Sequence, residues 1–103
     1  MDITVEGLHQ KLGEKENFIF IDVREGYEYE EFNLGARLIP LGELMNHLSD
    51  ISVDKDAEIV VHCRSGNRSA MAKQILLQSG YTQVRNLLGG VMEWQSKYGF
   101  FKP

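Results

Sequence analysis

Two stretches of this chain are apolar without a break, Phe18-Ile-Phe-Ile21 and Ile59-Val-Val61. An unbroken short run predicts a strand buried on both faces, because a strand with one wet face alternates apolar and polar positions. Weaker strand signals lie at Ala36 to Pro40 and Thr82 to Leu87, and Ile3-Thr4-Val5 supplies an edge strand. The stretches between them carry helical spacing. Short helices are expected over Gly7 to Leu12, Tyr27 to Phe32 and Leu41 to Leu48, and a longer one over Arg68 to Ser79, where Gly80 provides the stop. A last helix, Val91 to Lys97 with Trp94, follows the Gly89-Gly90 break. In the longer helix Ala72, Ile75 and Leu76 share one face, with Lys73, Gln74 and Gln78 toward water. Strands alternating with helices predict an α/β fold, a mostly parallel sheet of roughly five strands with helices on both faces.

Composition narrows the classes. With 103 residues, 43% hydrophobic and 25% charged, the chain reads as one folded domain over residues 1–103. A net charge of −4 excludes a nucleic-acid binder, which needs a dense cationic face. Met1 to Glu6 has no cationic start or apolar stretch, and no run approaches membrane-spanning length, so a cytoplasmic protein without membrane partners is expected. The single cysteine forms no internal disulfide, which suits a reducing compartment.

That cysteine, Cys63, stands where the run Glu58-Ile-Val-Val-His62 meets the polar loop Arg64-Ser65-Gly66-Asn67-Arg68-Ser69. In open parallel sheets, ligand sites gather beyond the carboxyl ends of strands, where loops enter helix N-termini. Asp22-Val23-Arg24 ends another run and meets the same rim. Gly66 permits a positive φ, which lets successive N–H groups converge into an anion nest. A free thiol near pKa 8.5 is only a few per cent thiolate at neutral pH, whereas such electropositive sites lower it to about 3.5–7.5. The expected chemistry is nucleophilic.

Cys63-Arg-Ser-Gly-Asn-Arg-Ser69 after an apolar strand, preceded by Ile21-Asp-Val-Arg24 and followed by Asn86-Leu-Leu-Gly-Gly90 and Trp94, resembles the single-domain rhodaneses, which are sulfurtransferases. The resemblance implies a rhodanese-like fold in which Cys63 takes sulfur from an anionic donor such as thiosulfate. As a persulfide it passes that sulfur to cyanide, a thiol or a protein acceptor. It further implies that the amides from Arg64 to Ser69, Gly66 and Asn67 included, cradle the persulfide. Ser65 and Ser69 add hydroxyl donors, and Arg64 and Arg68 hold the donor's charge. Asp22 and Arg24 brace the rim. No metal or organic cofactor is implied. Related phosphatases carry Cys-x5-Arg, and the tighter Cys-x4-Arg here favours sulfur over phosphoryl transfer. A sulfur carrier or binding module acting with a partner enzyme is the alternative, and a phosphatase or arsenate reductase a weaker one.

Other residues receive plainer readings. Glu25 to Glu31 is expected to be a solvated helix face with Tyr27 and Tyr29 turned inward. His9, His47 and His62 are scattered and suggest no metal site, and His62 faces away from its neighbour Cys63 on a strand. Where the family often has Gly-His-Ile-Pro-Gly-Ala, this chain has Glu31-Phe-Asn-Leu-Gly-Ala36, which alters a turn near the pocket wall. Tyr98, Phe100 and Phe101 are expected to pack over the core.

Overall fold

The structure, a computed structural model, describes residues 1–100 and 103; Phe101 lies outside them. Four strands, β1 (Ile19–Asp22), β2 (Arg37–Leu38), β3 (Glu58–His62) and β4 (Gln83–Asn86), form one sheet in the order β2-β1-β3-β4. All pairings are parallel, with Ile21 opposite Val61 and Val61 opposite Asn86. Parallel neighbours need crossovers, which are α2 (Gly26–Glu31), a 3₁₀ segment Leu41–Asp50 and α3 (Asn67–Gln78); α1 (Val5–Gly13) precedes β1 and α4 (Gly90–Tyr98) follows β4.

The sheet has one strand fewer than the sequence suggests. Ile3 makes only a single parallel bridge, to Leu87, because Thr4 accepts the Gly7 N–H on its hydroxyl at 3.1 Å and starts α1 at Val5. A capping side chain thus overrides the β-branched run Ile3-Thr4-Val5. The expected helix over Leu41 to Leu48 winds more tightly, as 3₁₀, from the Glu43 N–H bonded to the Pro40 carbonyl at 2.8 Å.

Alternation along β3 divides the core. Ile59 and Val61 face a cluster with Ile21, Leu44, Ala72 and Leu76, under α3 and the 3₁₀ segment. Val60 faces the opposite cluster with Val5, Leu8, Val91 and Trp94, under α1 and α4. Both faces of β3 are therefore dry from Ile59 to His62, as an unbroken apolar run leads one to expect, whereas Ile19 and Phe20 at the start of β1 are half-buried. Among the described residues no helix is long and apolar enough to cross a membrane.

One contact fixes the loop after β3. The start of α4 donates from Val91 N–H to the Cys63 carbonyl at 3.0 Å and from Met92 N–H to the Arg64 carbonyl at 2.9 Å. Gly90, with φ of 57°, makes this possible, since a Cβ there would lie 2.6 Å from both carbonyl oxygens. Backbone cannot yield as a side-chain end does. Gly90→Ala is therefore expected to lower stability by at least about 2 kcal/mol, from positive-φ strain plus the backbone clash. A urea melt with an unchanged midpoint would refute it.

Candidate active site

Cys63 lies just beyond the end of β3 and is 1% exposed. Its sulfur receives the Gly66 N–H at 3.1 Å and the Ser69 N–H at 3.4 Å, with the Ser69 hydroxyl oxygen at 3.3 Å. Gly66 holds φ of 107°, the left-handed conformation that turns the chain into α3 and aims its amide at the sulfur. The contact with α4 completes the cradle. A trans peptide points N–H opposite to C=O, so anchoring the Cys63 and Arg64 carbonyls on α4 turns the Arg64 and Ser65 amides the other way. Burial pushes the Cys63 thiol up, but hydrogen bonds from the Ser69 hydroxyl and from the Ser69, Gly66 and Ser65 amides outweigh it, and the thiol is held below its ordinary value. Ser65 contributes through its backbone; its side chain is exposed, as are those of Arg64 and Asn67.

Behind the loop sits Asn86, 6% exposed, at the end of β4. Its Nδ2 donates to the Gly66 carbonyl at 3.1 Å, and its Oδ1 lies 2.5 Å from the Ser69 hydroxyl oxygen. The side chain ties both ends of the sulfur's cradle to the sheet. In the sequence Asn86 was visible only as part of a family pattern, because its contacts with Gly66 and Ser69 require β4 to lie beside β3.

The expected brace at the rim is a buried ion pair. Arg24 donates from Nε and Nη2 to the Asp22 carboxylate at 2.9 to 3.1 Å, and from Nη2 to the Phe32 carbonyl at 2.7 Å. Both side chains are shut from water, at 0% and 4% exposure. The ion pair therefore locks the segment carrying α2 against the end of β1.

Two expectations about α2 need correction, and Arg68 has a partner on it. The acidic stretch is not uniformly solvated: Glu28 accepts a forked pair of bonds from Arg68, at 2.7 and 2.9 Å. The Arg68 guanidinium thus has a carboxylate across its fork, while it also lines the cavity over the loop. The Arg68 bonds hold the Glu28 carboxyl down to about 2, against burial, with Arg24 adding to the pull. Tyr27 is also 69% exposed instead of inward, while the Tyr29 hydroxyl donates to the Ala36 carbonyl at 2.8 Å. Glu25 and Glu28 have capping-box spacing, readable in sequence, but the Arg68 partner is 40 residues away.

His62 is fully buried and points away from the sulfur. Its ring packs on Phe20 at 5.3 Å, and its Nε2 is 3.6 Å from Asp22 Oδ2. Burial keeps it below its ordinary value, so it sits neutral in the wall of the site. His9 stacks on Tyr98 at 4.3 Å, and His47 lies 3.2 Å from Asp50.

A cavity of about 780 Å³ opens over the loop, walled by Tyr27, Phe32, Phe100, Arg64, Glu28 and Glu31 among others. Of the C-terminal aromatics, Tyr98 packs inward as expected, but Phe100 is 74% exposed, edge-on to Phe32 at the cavity wall. Arg64 reaches this cavity and has no carboxylate partner among the described residues.

The Glu28–Arg68 pair carries a pH signature. Glu28 titrates near 2 when folded and near 4.5 when free, so its contribution is complete above about pH 4.5 and is lost as pH falls toward 2. With Arg68 34% exposed, screening leaves a contribution of about 1 kcal/mol. Glu28→Gln is expected to melt below the parent at pH 7, with the gap closing between those two pH values. A constant gap in melting temperature would show that the pair is not its source.

Residues 4–97 match the Rhodanese-like domain. A sulfurtransferase of Allochromatium vinosum is 35% identical over 99 residues, covering 90% of this chain and 86% of its own. YrkF of Bacillus subtilis, named as a candidate sulfur carrier protein, is 34% identical over 97 residues, 93% of this chain; at 51% of the relative, the chain spans about half its length. The solved human single-domain sulfurtransferase TSTD1 superposes with a TM-score of 0.82 at 26% identity, over 93% of this chain and 96% of that one. With its parallel sheet, its cysteine loop at the strand end and a match spanning nearly all of its length, the chain belongs to the rhodanese-like domain family.

Proposed function

We propose that this domain is a sulfurtransferase that cycles Cys63 between thiolate and persulfide. The thiolate attacks the outer sulfur of a donor such as thiosulfate. A new S–S bond forms to Cys63, the donor's S–S bond breaks, and sulfite leaves with its electron pair. An acceptor thiolate or cyanide then attacks the outer sulfur of the persulfide and restores the Cys63 thiolate. The observation that carries this reading is the ring of donors around one sulfur, the Gly66 and Ser69 amides at 3.1 and 3.4 Å among them. Such a ring stabilises a charged sulfur before attack and the outgoing Cys63 thiolate after acceptor attack, with no separate base required.

Arg68, which a phosphatase needs on its phosphate, is engaged by Glu28, which favours sulfur over phosphoryl transfer. Arg64 is left as the guanidinium that meets an anionic donor. A lone thiol that must stay reduced suits the cytoplasm. A second reading, a sulfur relay working with a partner enzyme, draws on the likeness to YrkF and on the wide aromatic cavity mouth, which has room for a partner's persulfide.

Mass spectrometry after thiosulfate treatment should find one added sulfur on Cys63, absent in Cys63→Ser; no addition from thiosulfate, mercaptopyruvate or a protein persulfide would sink the proposal. Brisk steady-state turnover by the isolated domain would dispose of the pure relay. Arg64→Ala is expected to raise KM for thiosulfate roughly tenfold or more, as loss of a charge-assisted bond implies. Arg68→Ala should raise it less, and equal effects would show that Arg68 leaves Glu28 when the donor binds.

A further inference from the structure

The Ser69 hydroxyl has one proton and two claimants. Its oxygen is 2.5 Å from Asn86 Oδ1 and 3.3 Å from the Cys63 sulfur. The Asn86 amide cannot be turned round, because its other end faces the Gly66 carbonyl at 3.1 Å, an acceptor that only Nδ2 satisfies. Oδ1 therefore faces Ser69, and as a pure acceptor it takes the hydroxyl proton. What remains for the sulfur is a Ser69 lone pair, which the Cys63 thiol can use by donating its own S–H. The bonds then run one way round a closed circuit: Cys63 S–H to Ser69, Ser69 O–H to Asn86, Asn86 N–H to the Gly66 carbonyl, and Gly66 N–H back to sulfur.

We infer that Asn86 is a positioning residue that competes with Cys63 for the Ser69 proton, so that ionisation of Cys63 requires this hydrogen bond to pass from Asn86 to sulfur. In the thiol state Ser69 accepts from sulfur; once the thiol proton has left to solvent, the hydroxyl turns to donate to the thiolate and Asn86 Oδ1 loses its donor. Asn86 is 6% exposed and Ser69 0%, so water does not freely replace what is lost. Asn86 thereby holds the resting sulfur protonated more than the cradle alone would. The sequence reading had made Ser69 a simple donor to sulfur; the fixed amide reverses its direction at rest.

The inference deepens the sulfur chemistry proposed for the same cysteine, but alkylation needs no sulfur donor, so its failure is separate from a failure to form persulfide. The test is the pH midpoint of Cys63 alkylation by iodoacetamide in the parent, Asn86→Ala, Ser69→Ala and the double variant. None of these changes a charge near the sulfur. On the loop and α3 those charges are Arg64 and Arg68, with Glu28 across from them on α2. Asp22 and Arg24 at the end of β1 and His62 on β3 lie behind, Asp2 accepts from the Asn86 N–H of β4 and pairs with Lys73, and Gly90 and Val91 at the start of α4 bring none.

Asn86→Ala is expected to lower the midpoint by about half a unit or more, since the hydroxyl proton is freed for the thiolate. In the Ser69→Ala background the same substitution should leave it unmoved. A rise or no change in Asn86→Ala, or an equal fall without the hydroxyl, would overturn the inference, the latter by showing that loosening of Gly66 is the cause. Infrared spectroscopy gives a reading that does not depend on the Asn86 variant folding. The Cys63 S–H stretch, taken at a pH where the thiol is populated, should lie at lower frequency in the parent than in Ser69→Ala, and coincident bands would refute the donated S–H.

Discussion

The site depends on how two peptide groups are turned. The Cys63 and Arg64 carbonyls are taken by N–H groups at the start of α4, and the amide ends of those two peptides must then turn the other way, the Ser65 amide toward sulfur. Nothing in the loop enforces this by itself. The enforcing contact comes from the opposite end of the chain, and it fits only because Gly90 has no side chain to place against the two oxygens. A helix N-terminus is thus used twice: α3 offers its own amides to the sulfur, and α4 offers its amides to the carbonyls that would otherwise face it.

Charge at the rim is arranged as a ladder of satisfied pairs. Asp22 holds Arg24, Arg24 reaches the Phe32 carbonyl below α2, and Glu28 on α2 holds Arg68. Each buried charge has its counter-charge, as burial demands. Both arginines beside Cys63 line the cavity, but Arg68 is also paired with Glu28, whereas Arg64 has no carboxylate partner among the described residues. The hydrogen bonds to the sulfur come from neutral dipoles rather than from a bonded cation.

Much of this protein was decided locally. The unbroken runs Phe18 to Ile21 and Ile59 to Val61 read as strands, the second buried on both faces and the first half-buried at its start, and strands alternating with helical spacing pointed to a parallel sheet. Cys63 at a strand end, and Gly66 where the turn into α3 needs positive φ, are local facts as well, because φ preference and strand termination act between neighbours. The edge strand failed for an equally local reason that hydrophobic pattern does not register, the hydroxyl of Thr4 capping a helix.

What only the tertiary structure decided concerns groups that meet across strands. Arg68 and Glu28 are 40 residues apart, Asn86 and Ser69 are 17 apart, and each pair joins a loop residue singled out in the sequence to a partner that residue type and spacing did not show. Residue type and spacing show that a side chain can donate or accept; they do not show whether another group has already taken that capacity. Sequence alone determined that the single cysteine stands at the mouth of a parallel sheet. The fold decided that Arg68 meets Glu28 and that the Ser69 hydroxyl stands between Cys63 and Asn86, because which partners come within reach depends on strands and helices far apart in sequence.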